Sequence, residues 1–483
     1  MYPTLPKDFI WGFGTASYQV EGAVEEDRRG LSTWDVFCEK SGKIADGSSG
    51  EFACDTYHRT TEDIALLKSY NVKAYRFSVS WSRVIPSGGR DDPVNEKGLR
   101  YYIDLVDQLV AAGIQPVVTL HQWDPPQALH ERYGGPLNKH EFVADFARYA
   151  RLMFTSLGSK VKIWMTITEP LQIAINGYNK GIHAPGRSSD RSVSEEGDSS
   201  RECWIVGHSL LLAHATAVKI YREEFQEEDG GEIGITLYGE WGEPWDSDDE
   251  RDHHARDRFL DFGLPWFADP IYHGHYPQSM RDQLGNRLPS FTPEEVDLVK
   301  GSNDFFGLDY YTSAFVKHRD APPTPEDYSG NVERLQENSK GESIGPETES
   351  PWLRSHPDGL RKLLNFISDR YGHCKIYVAE NGTSVKGEDD LPLEEALEDD
   401  FRCEFYRAHV DALVKARVED SVDVRMYMAW SFLDNFEWAD GYRVRFGVTY
   451  VDFKNGRTRY PKKSAKVLRE LFAGLLAGGS SND

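Results

Sequence analysis

Two glutamates stand out in this 483-residue chain as candidates for chemistry. Glu169 lies in "VKIWMTITEPLQ" (161–172) and Glu380 in "KIYVAENG" (375–382). Each follows a nearly unbroken apolar run, so each is a carboxylate delivered to the tip of an otherwise buried segment. Similar tips carry Gln19, Gln122 with Trp123, Tyr311, Trp430, and the "NFEW" run that holds Glu437 and Trp438. Paired carboxylates serve at least three chemistries. A divalent cation needs further Asp, Glu or His ligands close by. Proton abstraction beside a carbonyl calls for a Lys or a metal to polarise it. Cleavage of a glycosidic bond needs two carboxyl groups across the scissile bond, with amides and Trp faces to hold a sugar. The third suits these neighbours best, and no metal or other cofactor is expected.

The segments that must position these residues form a regular series. Eight candidate strands are "FIWGFGTAS" (9–17), "AYRFSVSW" (74–81), "QPVVTLHQW" (115–123), "KIWMTITE" (162–169), "EIGITLYGE" (232–240), "DFFGLDYYT" (304–312), "KIYVAENG" (375–382) and "RMYMAWSFLDN" (425–435). Between them lie segments with apolar residues three and four apart, such as "GLRYYIDLVDQLVAAG" and "EFVADFARYARLMFTSLG". Apolar strands alternating with amphipathic helices predict a parallel sheet covered by helices. Eight repeats predict an α/β fold of one domain, a closed (β/α)8 TIM barrel over 1–475 with a frayed tail at 476–483. A doubly wound sheet is the alternative, but no Gly-rich phosphate turn follows the first strand. In a barrel, reactive groups emerge from the C-terminal ends of the strands, which places Glu169 and Glu380 on one rim. Polar insertions at 183–202, 240–256 and 317–350 read as loops over that face. The acidic "DSDDERDHH" (246–254) reads as a solvated loop, because its spacing is irregular for metal ligands.

Composition narrows the partners. A net charge of −24 argues against nucleic acid. No apolar run reads as long enough to cross a membrane, and the N-terminal residues show no secretory signal. Five scattered cysteines, an odd number without metal spacing, suit reduced thiols in the cytoplasm better than a disulfide framework, a reading that a clipped signal would overturn. The 12 Trp, 24 Tyr and 24 Phe supply both core and flat surfaces for flat ligands.

The motifs then become specific. "FIWGFGTASYQVEG", "RRGLSTWDVF", "GKIADGSSG", "YRFSVSWSRVIP", "LHERYGG", "IYVAENGT", "AWSFLDNFEWADGY" and "RFGVTYVDF" run from residue 9 to beyond 460. In this order they resemble glycoside hydrolase family 1, the retaining β-glucosidases, and most of all its intracellular fungal members. The resemblance implies a small β-glycoside or oligosaccharide as substrate, Glu380 as nucleophile and Glu169 as general acid/base. It implies that Arg76 and Tyr311 tune the nucleophile. It also implies a sugar site of Gln19, Gln122, Trp123, Thr168, Asp309, Tyr311, Trp430, Glu437, Trp438 and Phe446. Apolar walls and the nearby Glu380 charge should raise the Glu169 pKa and keep it protonated.

Three positions depart from the family pattern. Thr168 stands where Asn usually precedes the acid/base, Gln122 where His precedes Trp-Asp, and Asp309 where Asn stands two residues before the Tyr. Leu171 follows "TEP" where many relatives carry Trp. The missing Asn contacts the sugar 2-hydroxyl in the family, so an altered preference at C2 or C3, a slower hydrolase, or a sugar-binding protein without turnover are the readings to separate.

Overall fold

The computed structural model describes residues 4–477. Its strands are β1 (Ile10–Gly14), β2 (Ala74–Ser78), β3 (Gln115–His121), β4 (Ile163–Thr168), β5 (Glu232–Pro244) and β6 (Phe306–His318). They continue with β7 (Val332–Leu335), β8 (Ile376–Asn381), β9 (Val424–Trp430), β10 (Thr449–Asp452) and β11 (Thr458–Pro461). Eight of them run in the order β5-β4-β3-β2-β1-β9-β8-β6, and β5 pairs with β6 to close the ring. Every pairing within the ring is parallel. The expected barrel is present, and β1 lies between β2 and β9, so both ends of the chain meet in it.

The strand sequences explain the closure. All six residues of β4 and all six of β8 are buried, as strands covered on both faces must be. Inside the ring, Ala74, Val117, Ile163, Met165, Tyr377, Ala379, Met426 and Met428 form an apolar cluster of their own with Phe305. The flexible methionines fill the irregular space beneath the rim. Outside, helices such as Glu96–Ala111 and Lys139–Leu157 set their apolar faces against the strands.

Several sequence expectations change. The eighth barrel strand stops at Trp430, and the residues expected to extend it to 435 turn onto the rim instead. The insertions at 240–256 and 317–350 are partly regular: β5 and β6 each run 13 residues, β7 adds antiparallel to β6, and a helix spans Glu250–Phe262. The acidic stretch starts that helix. Asp249 caps it by accepting from the Arg251 N–H, and Asp252 accepts from the backbone N–H groups of Asp246 (3.0 Å) and His318 (2.7 Å). The helix Glu202–Glu224 is long and apolar enough to cross a membrane, contrary to the reading from sequence. Its apolar window is 83% buried, which makes it a core helix packed on Lys139–Leu157. Leu476 and Ala477, assigned to the frayed tail, complete the helix Lys463–Ala477, while 478–483 lie outside the described residues.

Candidate active site

The rim is built by breaking the strands where they leave the core. β4 ends at Thr168, and Glu169 adopts φ 49° before Pro170 opens the helix Pro170–Tyr178. Left-handed backbone is uncommon outside glycine and is held only where the surroundings fix it. Proline is suited to the first helical turn, so strand exit and helix entry share one residue. Trp123 (φ 71°) and Trp438 (φ 53°) sit on left-handed backbone at the same rim. The ladders also slip there. Register shifts fall between Met165 and Thr168, between Leu308 and Asp309, and between Val378 and Asn381. Such irregularities re-aim side chains, and these bring Glu169, Asp309 and Glu380 together.

One carboxylate oxygen from each of Glu169, Asp309 and Glu380 lies within 4.8 Å of the other two. The Arg76 guanidinium on β2 donates to Glu380 Oε1 through Nη1 and to Thr168 Oγ1 (2.5 Å) through Nη2. Its Nε points at Thr119 Oγ1 (3.2 Å) and Met165 Sδ (3.1 Å). Gln122 Nε2 also donates to Glu380 Oε1 (3.2 Å), and the Tyr311 hydroxyl donates to Oε2 (2.7 Å). Both Glu380 carboxylate oxygens are thus held by donors from Arg76, Gln122 and Tyr311. Among the described residues, Glu169 has no such set of donors. Burial, then the Glu380 charge, push its pKa well above the ordinary carboxylate value, with Arg76 only partly offsetting them. A buried carboxyl with a raised pKa beside a carboxylate held by three donors is the arrangement of a general acid next to a nucleophile. The three oxygens have a spacing a metal could use, and Arg76 places a cation against Glu380.

A cavity of about 720 Å³ opens above these groups. Of the residues assigned from sequence, Gln122, Trp123, Glu169, Tyr311, Glu380, Trp430, Glu437, Trp438 and Phe446 line it. Gln19, Arg76, Thr168 and Asp309 stand behind its wall, all of them fully buried. Thr168 therefore presents no side chain to the cavity. Its hydroxyl is taken by Arg76 and its carbonyl accepts from Trp123 Nε1 (3.2 Å). Gln19 Nε2 donates to Asn435 Oδ1 (3.1 Å), to the Phe436 carbonyl (3.0 Å) and to Glu437 Oε2 (3.3 Å), which fixes the "NFEW" turn. Gln122, which lines the cavity, has its amide oxygen buried without a partner in the protein, an acceptor suited to a sugar hydroxyl. Trp123 and Trp438 pack with centroids 4.7 Å apart, and Trp34 backs Trp438 at 4.7 Å. At the mouth, Leu171, Ile175, Phe259, Tyr328 and Trp352 make an apolar wall. Only Leu171 was flagged from sequence. Ile175 is on the helix Pro170–Tyr178, Phe259 on the helix Glu250–Phe262, and Tyr328 and Trp352 lie in or beside the insertion at 317–350, where no motif marks them.

A parallel barrel with two buried carboxyls paired on its rim, one held by Arg76 and the other without a cation of its own among the described residues, defines an enzyme that works by paired carboxylic groups. The Glycosyl hydrolase family 1 signature matches residues 1–474, and the chain belongs to that family. It is 53% identical to β-glucosidase 1B of Phanerodontia chrysosporium over 473 residues, 98% of this chain and 86% of the relative. The crystal structure of a family β-glucosidase from Humicola insolens in complex with glucose superposes with a TM-score of 0.97 at 60% identity, covering 98% of each chain. A rice β-glucosidase variant in a covalent complex with glucose gives 0.94 at 40% identity, covering 97% of this chain and 98% of that one.

Proposed function

We propose that this chain hydrolyses β-linked glycosides of the β-glucoside type with retention, through a covalent glycosyl-enzyme on Glu380 and with Glu169 as general acid/base. The observation that carries this is the close pair: Glu169 and Glu380 offer oxygens within 4.8 Å of each other, with Arg76 on Glu380. Retaining enzymes hold their carboxyls about 5–5.5 Å apart, whereas inverting ones leave about 6.5–9.5 Å for a water. In the first step the Glu380 carboxylate attacks the anomeric carbon while Glu169 gives its proton to the departing oxygen. The ester on Glu380 then removes a negative charge beside Glu169, which lowers its pKa. Glu169 takes a proton from water, and the water oxygen displaces Glu380. The covalent glucose complex of the rice relative supports this route.

The first-released anomer tests it. Proton NMR of an early time course with an aryl β-glucoside should show β-glucose before mutarotation, and α-glucose first would contradict the proposal.

Thr168, Gln122 and Asp309 are proposed to shift the substrate preference. With the Thr168 hydroxyl committed to Arg76, and Gln122 Nε2 to Glu380, no amide N–H from position 168 reaches the sugar's 2-hydroxyl. A screen of aryl β-glucosides, galactosides, fucosides and 2-amino sugars reads this directly. Equal loss on all of them would favour a sugar-binding protein without turnover. Action in the cytoplasm is part of the proposal, supported by five unpaired cysteines, three of them buried.

A further inference from the structure

Asp309 is the acid of the rim that the two-step reaction leaves unused. It lies on β6, paired in register with Glu380 on β8 and with Tyr238 on β5. Its side chain has no exposed surface, and neither of its carboxyl oxygens has a hydrogen-bond partner. The titratable or charged groups facing it are Glu380 from β8, Glu169 from the end of β4, Arg76 from β2, Tyr238 from β5 and Tyr311 further along β6. Arg76 is the single cation among them, and its N–H groups go to Glu380, Thr168, Thr119 and Met165 rather than to Asp309. An ionised carboxylate here would be out of water, without donors, and next to a second anion. Each of those conditions opposes the charge, and like charges this close do not all ionise.

We propose that Asp309 keeps a proton throughout the reaction and acts as a neutral positioning acid for Glu169, turning its O–H toward the Glu169 carboxylate that forms when the leaving oxygen takes the proton. The proton count balances without Asp309. Glu169 loses its proton to the glycosidic oxygen and regains one from the attacking water, while the Asp309 O–H bond stays intact. Burial and then Glu380 push the Asp309 carboxyl well above the usual carboxylate range, in keeping with this geometry. The inference rests on Glu169 being the acid/base, so its test includes a readout that needs no turnover.

Asp309→Asn keeps the shape and a donor, and Asp309→Leu keeps the volume without one. The upper limb of the kcat/KM profile, set by Glu169, should stay in place in Asp309→Asn. In Asp309→Leu it should rise by about one pH unit or more, the scale of a lost hydrogen bond to a charged group. The infrared difference spectrum at pH 7, wild type minus Asp309→Asn, should show a protonated-carboxyl band that comes from Asp309 and not from Glu169, which both forms keep. An acid-ward shift of the limb by about one unit in Asp309→Asn would mean that a charged Asp309 had been raising the Glu169 pKa, and would overturn the proposal. So would the absence of the band, or upper limbs that coincide in the two variants. A Leu variant that fails to fold leaves the Asn profile and the band to decide. A difference band without turnover in the wild type would uphold a protonated Asp309 and sink the glycosidase reading instead.

Discussion

Thr168 and Glu169 are neighbours in the chain with opposite exposures to the chemistry. Glu169 lines the cavity, while the Thr168 hydroxyl is spent behind the wall on Arg76 at 2.5 Å. An asparagine at 168 has the reach to place an amide N–H at the sugar's 2-hydroxyl, a contact that strengthens in the transition state. Thr168→Asn is expected to raise kcat/KM on an aryl β-glucoside about tenfold or more. Unchanged kinetics would show that Gln122 and Asp309 have rebuilt the site for a different sugar. Glu169 also carries a stability signature. Its folded pKa is raised by burial and Glu380 above an unfolded value of about 4.3. Between the two values the folded state binds more protons, so stability falls as pH rises through that window. Below it both states are protonated and nothing is lost. Glu169→Gln should therefore melt higher than the wild type at pH 7, with the gain shrinking to nothing near pH 4. Equal melting temperatures at pH 7 would contradict the raised pKa. The identities of these residues were legible in the "TEP" and "AENG" motifs. That Thr168 and Asp309 sit behind the wall was not, because depth depends on register shifts set by neighbouring strands.

At the scale of elements, the site depends on how closely β8 approaches β9. Gly382 follows the last residue of β8, and a Cβ there would lie 1.8 Å from the Trp430 carbonyl oxygen. That contact is with backbone, so the strands themselves would have to part. Gly382→Ala is expected to fold but to displace both Glu380 and Trp430. A misplacement of about 1 Å can lower the rate by about 10²-fold, and kcat/KM should fall on that order. Wild-type kcat/KM in a folded variant would show that the rim tolerates the shift. The eight barrel strands could be read from the sequence because burial on both faces leaves unbroken apolar runs such as "IYVA". The outer halves of β5 and β6, with β7, could not. There burial is partial, with Glu240, Trp241 and Glu243 on β5 only half-buried, and polar residues on a half-exposed extension look like loop. The hairpin of β10 and β11 was missed for a related reason, since each strand has only four residues.

Over the whole molecule, the excess negative charge is managed by pairing inside as well as by water outside. Beneath the turns that follow β9, Lys462 Nζ donates to Glu388 Oε1 (2.5 Å) and to Asp434 Oδ1 (2.8 Å). Arg402 holds Glu388 and Asp399, and Arg445 holds Asp434 (2.8 Å). All six groups are buried, and together they tie the C-terminal segment to the barrel. Burial works against the Asp434 charge, but Lys462 and Arg445 hold its carboxyl below the usual range. Its contribution is therefore present above the unfolded pKa and lost as pH falls through the folded one. Lys462→Met would leave two carboxylates short of a partner, and should destabilise the fold by about 3–5 kcal/mol in denaturant titration at pH 7. A loss under about 1 kcal/mol would mean that the arginines alone suffice.

Retention through two displacements requires a covalent bond from the sugar to Glu380. Incubation with an activated 2-deoxy-2-fluoro-β-glucoside, followed by proteolysis and mass spectrometry, addresses it most directly. The expected result is one fluoroglucosyl adduct on the peptide containing Glu380, absent from Glu380→Gln, with an initial burst of leaving group matching the enzyme concentration. Steady turnover of an aryl β-glucoside with no adduct on Glu380, or with the adduct on another residue, would contradict it.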